Sequence, residues 1–246
     1  HGIEWLVYKS ADGLLFVSKQ DLEQASSCFG LPSPAGVFTP HGTELARPDC
    51  RQKKLDRNDL LDRFQLAPDT RLYLIYGPLT YFPNREALSI FIENINPHLI
   101  SMSQTPYMVF VCGGGLNEIG ERPAVGKVRN ILCLGYVDEI ETFVTGVDLV
   151  LNVSISGGGA KSKVIEAVAH GTSVISTRSG AIGLDLECFG EQVSIVNDDD
   201  YTGFARKIIE QSKAPKLTPV DFFETYSWSR IVTRAADYIR TISPRF

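Results

Sequence analysis

Two rhythms of apolar and polar positions run through the second two-thirds of this chain. Short, nearly continuous apolar runs appear at RLYLIYG, YMVFVCGGG, NILCLGYV, VDLVLNVS, TSVISTRSG and QVSIVND. Each has the length of a strand buried on both faces. The stretches between them keep helical spacing. In NREALSIFIENINPHL the apolar residues Ala87, Leu88, Phe91, Ile92 and Ile95 fall on one helix face. DEIETFVTG predicts a short helix, KSKVIEAVAHG a helix closed by Gly171, and DYTGFARKIIEQSK a helix opened by an acidic cap run. Strands alternating with helices predict parallel βαβ units, hence a Rossmann-like α/β fold with a doubly wound parallel sheet. Ligands of such sheets bind beyond the carboxyl ends of the strands. The glycine clusters of this sequence fall at those ends.

The first part follows a different pattern. It predicts a helix end, a strand in LLFVS, a helix capped near Ser18, and a short strand in VFTPHGTEL. That is too few strands to bury a core. A polar stretch with Pro48 follows, and the boundary is expected within residues 46–56. Residues 1–47 read either as the tail of a domain whose beginning is missing or as a flap packed on a second domain, residues 48–246. VDFFETYSWSRIVTRAADYI predicts one or two closing amphipathic helices around Trp228.

Composition narrows the function. Of 246 residues, 43% are hydrophobic and 22% charged, and the net charge of −5 argues against a dedicated nucleic-acid binder. Five cysteines without a CxxC spacing predict free thiols and a reducing, cytoplasmic setting. No apolar run approaches the roughly 20 residues of a membrane helix. Four histidines without paired spacing give no zinc pattern, and Asn197–Asp200 is expected to be a helix cap.

The stretch SISGGGAKSKVIEAVAHG, residues 154–171, carries the chemistry. Glycines after a strand let backbone approach a ligand closely. A helix start offers open N–H groups and the positive end of the helix dipole. Lys161 and Lys163 add charge, so the expected guest is an anion, best a diphosphate. Glu166 follows one turn later, and a carboxylate can accept two hydroxyls, as a ribose offers. Neither the phosphate-loop pattern nor GxGxxG occurs here. The alternative is a tight strand-to-helix turn with solvated lysines.

The ordered residues Gly135, Val137, Asp138, Glu139, Asp148, Glu166, Ala167, Ala169, Gly171, Val174, Ile175, Ser176 and Thr177 resemble the C-terminal domain of glycosyltransferase family 4, of the GT-B fold. Gly77, Pro83, Asn84, Ala87 and Leu88 resemble the opening of that domain in one subgroup, and residues 1–47 resemble the end of the family's N-terminal (acceptor) domain and its hinge. The resemblance implies a domain that binds a nucleotide diphosphate-sugar, such as a UDP- or GDP-sugar. It implies transfer with retention to a glycan or lipid-linked acceptor, as in polysaccharide biosynthesis, with no essential metal and no cofactor. Glu166 then holds the donor ribose. Gly157, Gly158, Gly159, Lys161 and Lys163 face the diphosphate and sugar, with Gly77 at a second phosphate-facing turn. Tyr136 and Val137 lie where the base is held. His41, Ser179 and Gly180 are further cleft candidates, and the catalytic residues are not assigned.

Three departures qualify that expectation. Gly158 stands where the family often carries a first glutamate. GPLTYFPN lacks the arginine and lysine that often grip the diphosphate. The chain is also shorter than the roughly 350–400 residues that two full domains need, which suggests a fragment or a partner chain completing the acceptor half. Peripheral contact with the inner face of a membrane is a further expectation. The rival readings are a nucleotide-sugar 2-epimerase on the same fold and a non-catalytic GT-B-like binding or assembly module.

Overall fold

A computed structural model describes residues 2–30, 36–45, 47–115, 130–158, 161–211 and 216–242. The first unit contains α1 (Gly2–Ser10), β1 (Leu15–Phe16), α2 (Lys19–Phe29) and β2 (Val37–Phe38). β1 and β2 pair in parallel as a separate two-stranded sheet. Ser18 caps α2 by accepting the Asp21 N–H at 2.9 Å, and Phe16, Ala25 and Phe38 are buried. The strand expected over LLFVS is thus reduced to two paired residues.

The second unit opens with α3 (Cys50–Arg63), whose N-cap Asp49 accepts the Arg51 and Gln52 N–H groups. Sequence patterning showed this stretch only as polar. The structure shows why: α3 is fastened to the sheet by charge as much as by Leu60 and Leu61. Arg57 donates to Asp148 at 2.8 Å and to the Thr70 carbonyl at 2.8 Å. Lys53 spends its three N–H groups on the Thr145 and Val147 carbonyls and the Thr172 hydroxyl.

Six parallel strands follow, β3 (Arg71–Tyr76), β4 (Tyr107–Cys112), β5 (Ile131–Gly135), β6 (Leu149–Asn152), β7 (Ser173–Thr177) and β8 (Val193–Val196). Their order across the sheet is β5-β4-β3-β6-β7-β8. Chain connections run outward in opposite directions from β3 and β6, so the switch point lies between those two strands. Side chains of β3 alternate between two cores. Tyr73 and Ile75 join α4 (Phe82–Ile90), α5 (Asn96–Met102) and α8 (Tyr201–Gln211) on one face. Leu72 and Leu74 join α3, α6 (Ile140–Gly146), α7 (Ser162–Ala169) and α9 (Val220–Tyr226) on the other.

One predicted helix is interrupted. Between α4 and α5, Phe91–Ile95 forms a π-turn, and the Asn96 N–H reaches back to the Phe91 carbonyl. Pro97 follows directly, with no N–H to continue an α-helical ladder. The last helix, α10 (Trp228–Ile242), leaves the second unit and packs back on the first. Arg234 donates to the Phe38 carbonyl at 3.2 Å, and the Leu14 N–H donates to the Tyr238 hydroxyl at 3.4 Å. The closing helices expected around Trp228 are thus α9 and α10.

Candidate functional site

The site is built where β3 and β6 end side by side. Gly77 follows β3 with a φ of +130°, a conformation that disfavours a side chain. A Cβ there would stand 2.8 Å from Asn84 Nδ2 and 3.0 Å from Lys163 Nζ. The missing side chain of Gly77 therefore makes room for that amide and that ammonium.

Lys163 comes from the first turn of α7. Its Nζ donates to Asn84 Oδ1 at 2.7 Å and to the Tyr76 carbonyl at 3.0 Å. Burial pushes its pKa down to about 8, with Lys161 adding repulsion. Lys161 donates to the Gly157 carbonyl at 3.2 Å, and burial lowers its pKa too. Neither lysine has a carboxylate partner among the described residues. Among the described residues no side chain caps α7, which leaves the Ser162 and Lys163 N–H groups open, while that of Val164 donates to the Lys161 carbonyl at 3.0 Å.

These groups line a cavity of about 80 Å³ together with Asn84, Asn152, Ser154 and Ser156. Gly157, at a φ of +87°, lets Tyr81 and Pro83 close over the loop, since a Cβ would stand 3.0 Å from the Tyr81 hydroxyl. A Cβ at Gly158 would meet nothing within 4 Å, so that wall is open. Gly159 lies outside the described residues.

Glu166 is partly exposed, one turn along α7. Its Oε2 accepts the Tyr76 hydroxyl at 2.8 Å. Burial, and then the Glu166 charge, hold the Tyr76 phenol well above its ordinary pKa, so it stays a donor. One carboxylate oxygen is thereby fixed, which orients the other.

A second cavity, of about 260 Å³, lies between the two units. His41, Gln20, Asp21 and Gln24 line one side, and Gly158 and Lys161 the other. His41 rests edge-on against Trp228, with ring centroids 5.6 Å apart. Gly158 and Lys161 thus belong to both cavities.

The remaining sequence candidates are placed apart from these. Tyr136 is 76% exposed beyond β5, while Val137 packs on the core beneath. No hydrogen bond or ring contact joins Tyr136 to the lysine group among the described residues. Ser179 turns its hydroxyl to Asp198 Oδ2 at 2.6 Å, and its N–H to Oδ1 at 2.9 Å. Asp198 is therefore more than a solvated part of a cap run. Gly180 is buried, its carbonyl accepting from Asn152 Nδ2 at 2.9 Å.

Sequence reading missed roles for Tyr76, Asn84 and Asn152. Asn152 bonds Ser176, Gly180 and Ser154, locking the ends of β6 and β7 together. Asn84 follows a proline one short loop after a glycine turn, which was the available signal. Nothing local distinguishes Tyr76 or Asn152 from other strand-end residues. Among the described residues no group of three or more His, Cys, Asp or Glu side chains could hold a metal ion.

The family model for glycosyl transferases group 1 matches residues 70–213. An uncharacterised 44.6 kDa protein of the cps region of Klebsiella pneumoniae is 26% identical over 213 residues, covering 84% of this chain. The chain spans about half of that relative's length, 49%. A glycosyltransferase from Rickettsia africae superposes with a TM-score of 0.71 at 14% identity, covering 100% of this chain and 68% of that one. HepE from Anabaena, in complex with UDP and glucose, superposes at 0.67 with 14% identity, covering 97% and 65%. The six-stranded unit has the fold of these glycosyltransferases. With the family model spanning well over half of its length, the chain belongs to the glycosyl transferases group 1.

Proposed function

We propose that this chain is the donor-binding part of a retaining GT-B glycosyltransferase, moving a sugar from a nucleotide diphosphate-sugar to a glycan or lipid-linked acceptor. The observation that carries the reading is the pair Lys161 and Lys163. Among the described residues neither ammonium has a carboxylate partner; the largely buried Lys163 and the partly buried Lys161 flank a helix start without a side-chain cap at the switch point of the sheet. Leaving such charge uncompensated is costly unless a ligand supplies the counter-charge. A diphosphate in the cavity beside them supplies it, and transfer to an acceptor then takes place in the larger cavity that shares Lys161.

Glu166 has the chemistry to accept ribose hydroxyls, with Tyr76 holding it in place. That HepE binds UDP and glucose supports a UDP-sugar as donor. Cationic side chains and helix N–H groups take the place that a metal ion would otherwise have at the phosphates. No described helix is long and apolar enough to cross a membrane. A lipid-linked acceptor would bring the protein to the inner face of the membrane from the cytoplasm. The rest of the acceptor half is to be supplied by further sequence or a partner chain.

Calorimetric titration with UDP, GDP and ADP, with and without EDTA, tests the reading. One nucleotide is expected to bind, with EDTA making no difference. Binding of none of the three would defeat the reading, and loss of binding in EDTA would defeat its metal-independent form. Glu166→Ala is expected to weaken binding of that nucleotide by about 1–3 kcal/mol, the scale of lost charge-assisted hydrogen bonds. Unchanged affinity in this variant removes Glu166 from the site.

A further inference from the structure

Asn84 lies on α4 directly behind the cation of the site. It is 8% exposed, and its amide is held at both ends. Nδ2 donates to the Pro78 carbonyl at 2.8 Å, while Oδ1 accepts from Lys163 Nζ at 2.7 Å. The Tyr76 carbonyl takes a second ammonium N–H. An ammonium has three donors. Two are spent on neutral oxygens, and the third remains for the cavities that Lys163 lines.

The neutrality of the acceptor matters. A carboxylate at position 84 would hold the ammonium equally well and cancel its charge. The groups facing Lys163 leave that charge standing. Tyr76 on β3 presents its ring, 6.0 Å from Nζ. Cys112 on β4 lines the same cavity, its thiol pushed up to about 12 by burial and so neutral. Tyr81 stands on the loop before α4 and shares the adjoining cavity. Glu166 on α7 is engaged by the Tyr76 hydroxyl. Lys161 is the charged neighbour that acts on Lys163, and it repels.

We infer that Asn84 is a positioning residue: it fixes the Lys163 ammonium at the end of β3 without neutralising it, so that its whole charge is delivered to the diphosphate of the donor. This rests on the donor-binding reading above.

The consequence is a pH signature. The ligand-free ammonium gives up its proton around pH 8, as its lowered pKa dictates. A bound diphosphate favours the protonated form. Affinity should hold steady from about pH 7, where the terminal phosphate of UDP is ionised, to about pH 8, and then fall by up to roughly tenfold per pH unit. An aspartate at 84 would pair with Lys163, raise its pKa and remove that bend.

UDP is titrated into the chain and into Asn84→Asp from about pH 6.5 to about pH 9.5, the span that brackets the lowered lysine pKa. Carbon NMR of labelled lysine follows Lys163 itself in the ligand-free proteins. The expected result is a bend near pH 8 in the unmodified chain. In Asn84→Asp, binding near neutral pH should be at least about tenfold weaker, without the bend, and Lys163 should titrate higher. Asn84→Asp with unchanged affinity, the same bend and the same Lys163 titration overturns the role of Asn84 and leaves the donor reading intact. Failure of the unmodified chain to bind UDP, GDP or ADP defeats the donor reading, and this inference with it. Should Asn84→Asp not fold, Asn84→Ser serves: weaker UDP binding with a displaced Lys163 signal is expected, and unchanged values of both overturn the inference.

Discussion

Replacing Lys163 by methionine is expected to leave the stability of the ligand-free protein nearly unchanged at neutral pH while removing most of its affinity for nucleotide. The lysine pKa falls from 10.5 to about 8 on folding. The charged form is therefore disfavoured by about 3 kcal/mol at neutral pH. Methionine removes that penalty at similar length. It also leaves Asn84 Oδ1 and the Tyr76 carbonyl without their donor, a cost of about 1–3 kcal/mol for each. The relief and the cost largely offset, so stability at neutral pH should change little. Its pH dependence has a definite sign. Between about pH 8 and 10.5 the unfolded chain still holds a proton that the folded one has released, so the unmodified protein gains stability as pH rises. Relative to the unmodified protein, the variant should accordingly fare best below about pH 8 and lose ground above it. Lys53 is shifted in the same way, so the difference between the two proteins, and not either curve alone, isolates Lys163. UDP affinity should fall roughly tenfold to a hundredfold, the loss of one charge-assisted bond. Urea unfolding across pH and calorimetry read both effects. A variant that loses no ground above about pH 8 and binds UDP unchanged would sink the argument.

Gly113→Ala should be the most damaging single methyl in the molecule. Gly113 follows β4 back to back with Gly77. A Cβ there would stand 1.9 Å from the Gly77 carbonyl oxygen and 2.7 Å from its carbon. Neither backbone can yield easily. The Gly77 N–H is bonded to the Cys112 carbonyl at 2.9 Å and the Gly113 N–H to the Gly135 carbonyl at 2.7 Å. A loss of about 3 kcal/mol or more is expected, at the upper end for overpacking. Gly77 would shift with it, loosening the Asn84–Lys163 contact. Gly114→Ala is the matched control, since a Cβ there meets nothing within 4 Å. Equal stabilities of the two variants in urea would show that the strand ends are more pliable than the contacts indicate.

The doubly wound sheet was legible because its strands are buried on both faces and read as continuous apolar runs. Helix α3 was not, because its inward face mixes Leu60 and Leu61 with Lys53 and Arg57, which bond the segments leading into the strands, and with Asp56, which accepts from Gln52. No periodicity of apolar residues reports such a face. The interruption between α4 and α5 was also hidden, although Pro97 was its cause. In the candidate site, the nearness of Lys161, Lys163 and Glu166 to one helix start was legible from glycine, charge and helix spacing. Their supporting residues were not. Tyr76, Asn84 and Asn152 reach the site from three separate elements, and only the strand order brings them together.

The two units are joined by more than one crossing of the chain. Residues 39–45 pass between them once, and Ser227 passes back into α10. These crossings lie side by side: the Thr43 N–H donates to the Tyr226 carbonyl at 2.7 Å, and the Trp228 N–H to the Thr43 carbonyl at 3.0 Å. A single tether would let one body swivel freely on the other. Two tethers stitched together act like the two pins of a door and suppress twisting, leaving a swing as the easy motion. His41 sits beside the pins and also lines the larger cavity, so a swing changes the width of that cavity without reordering its walls.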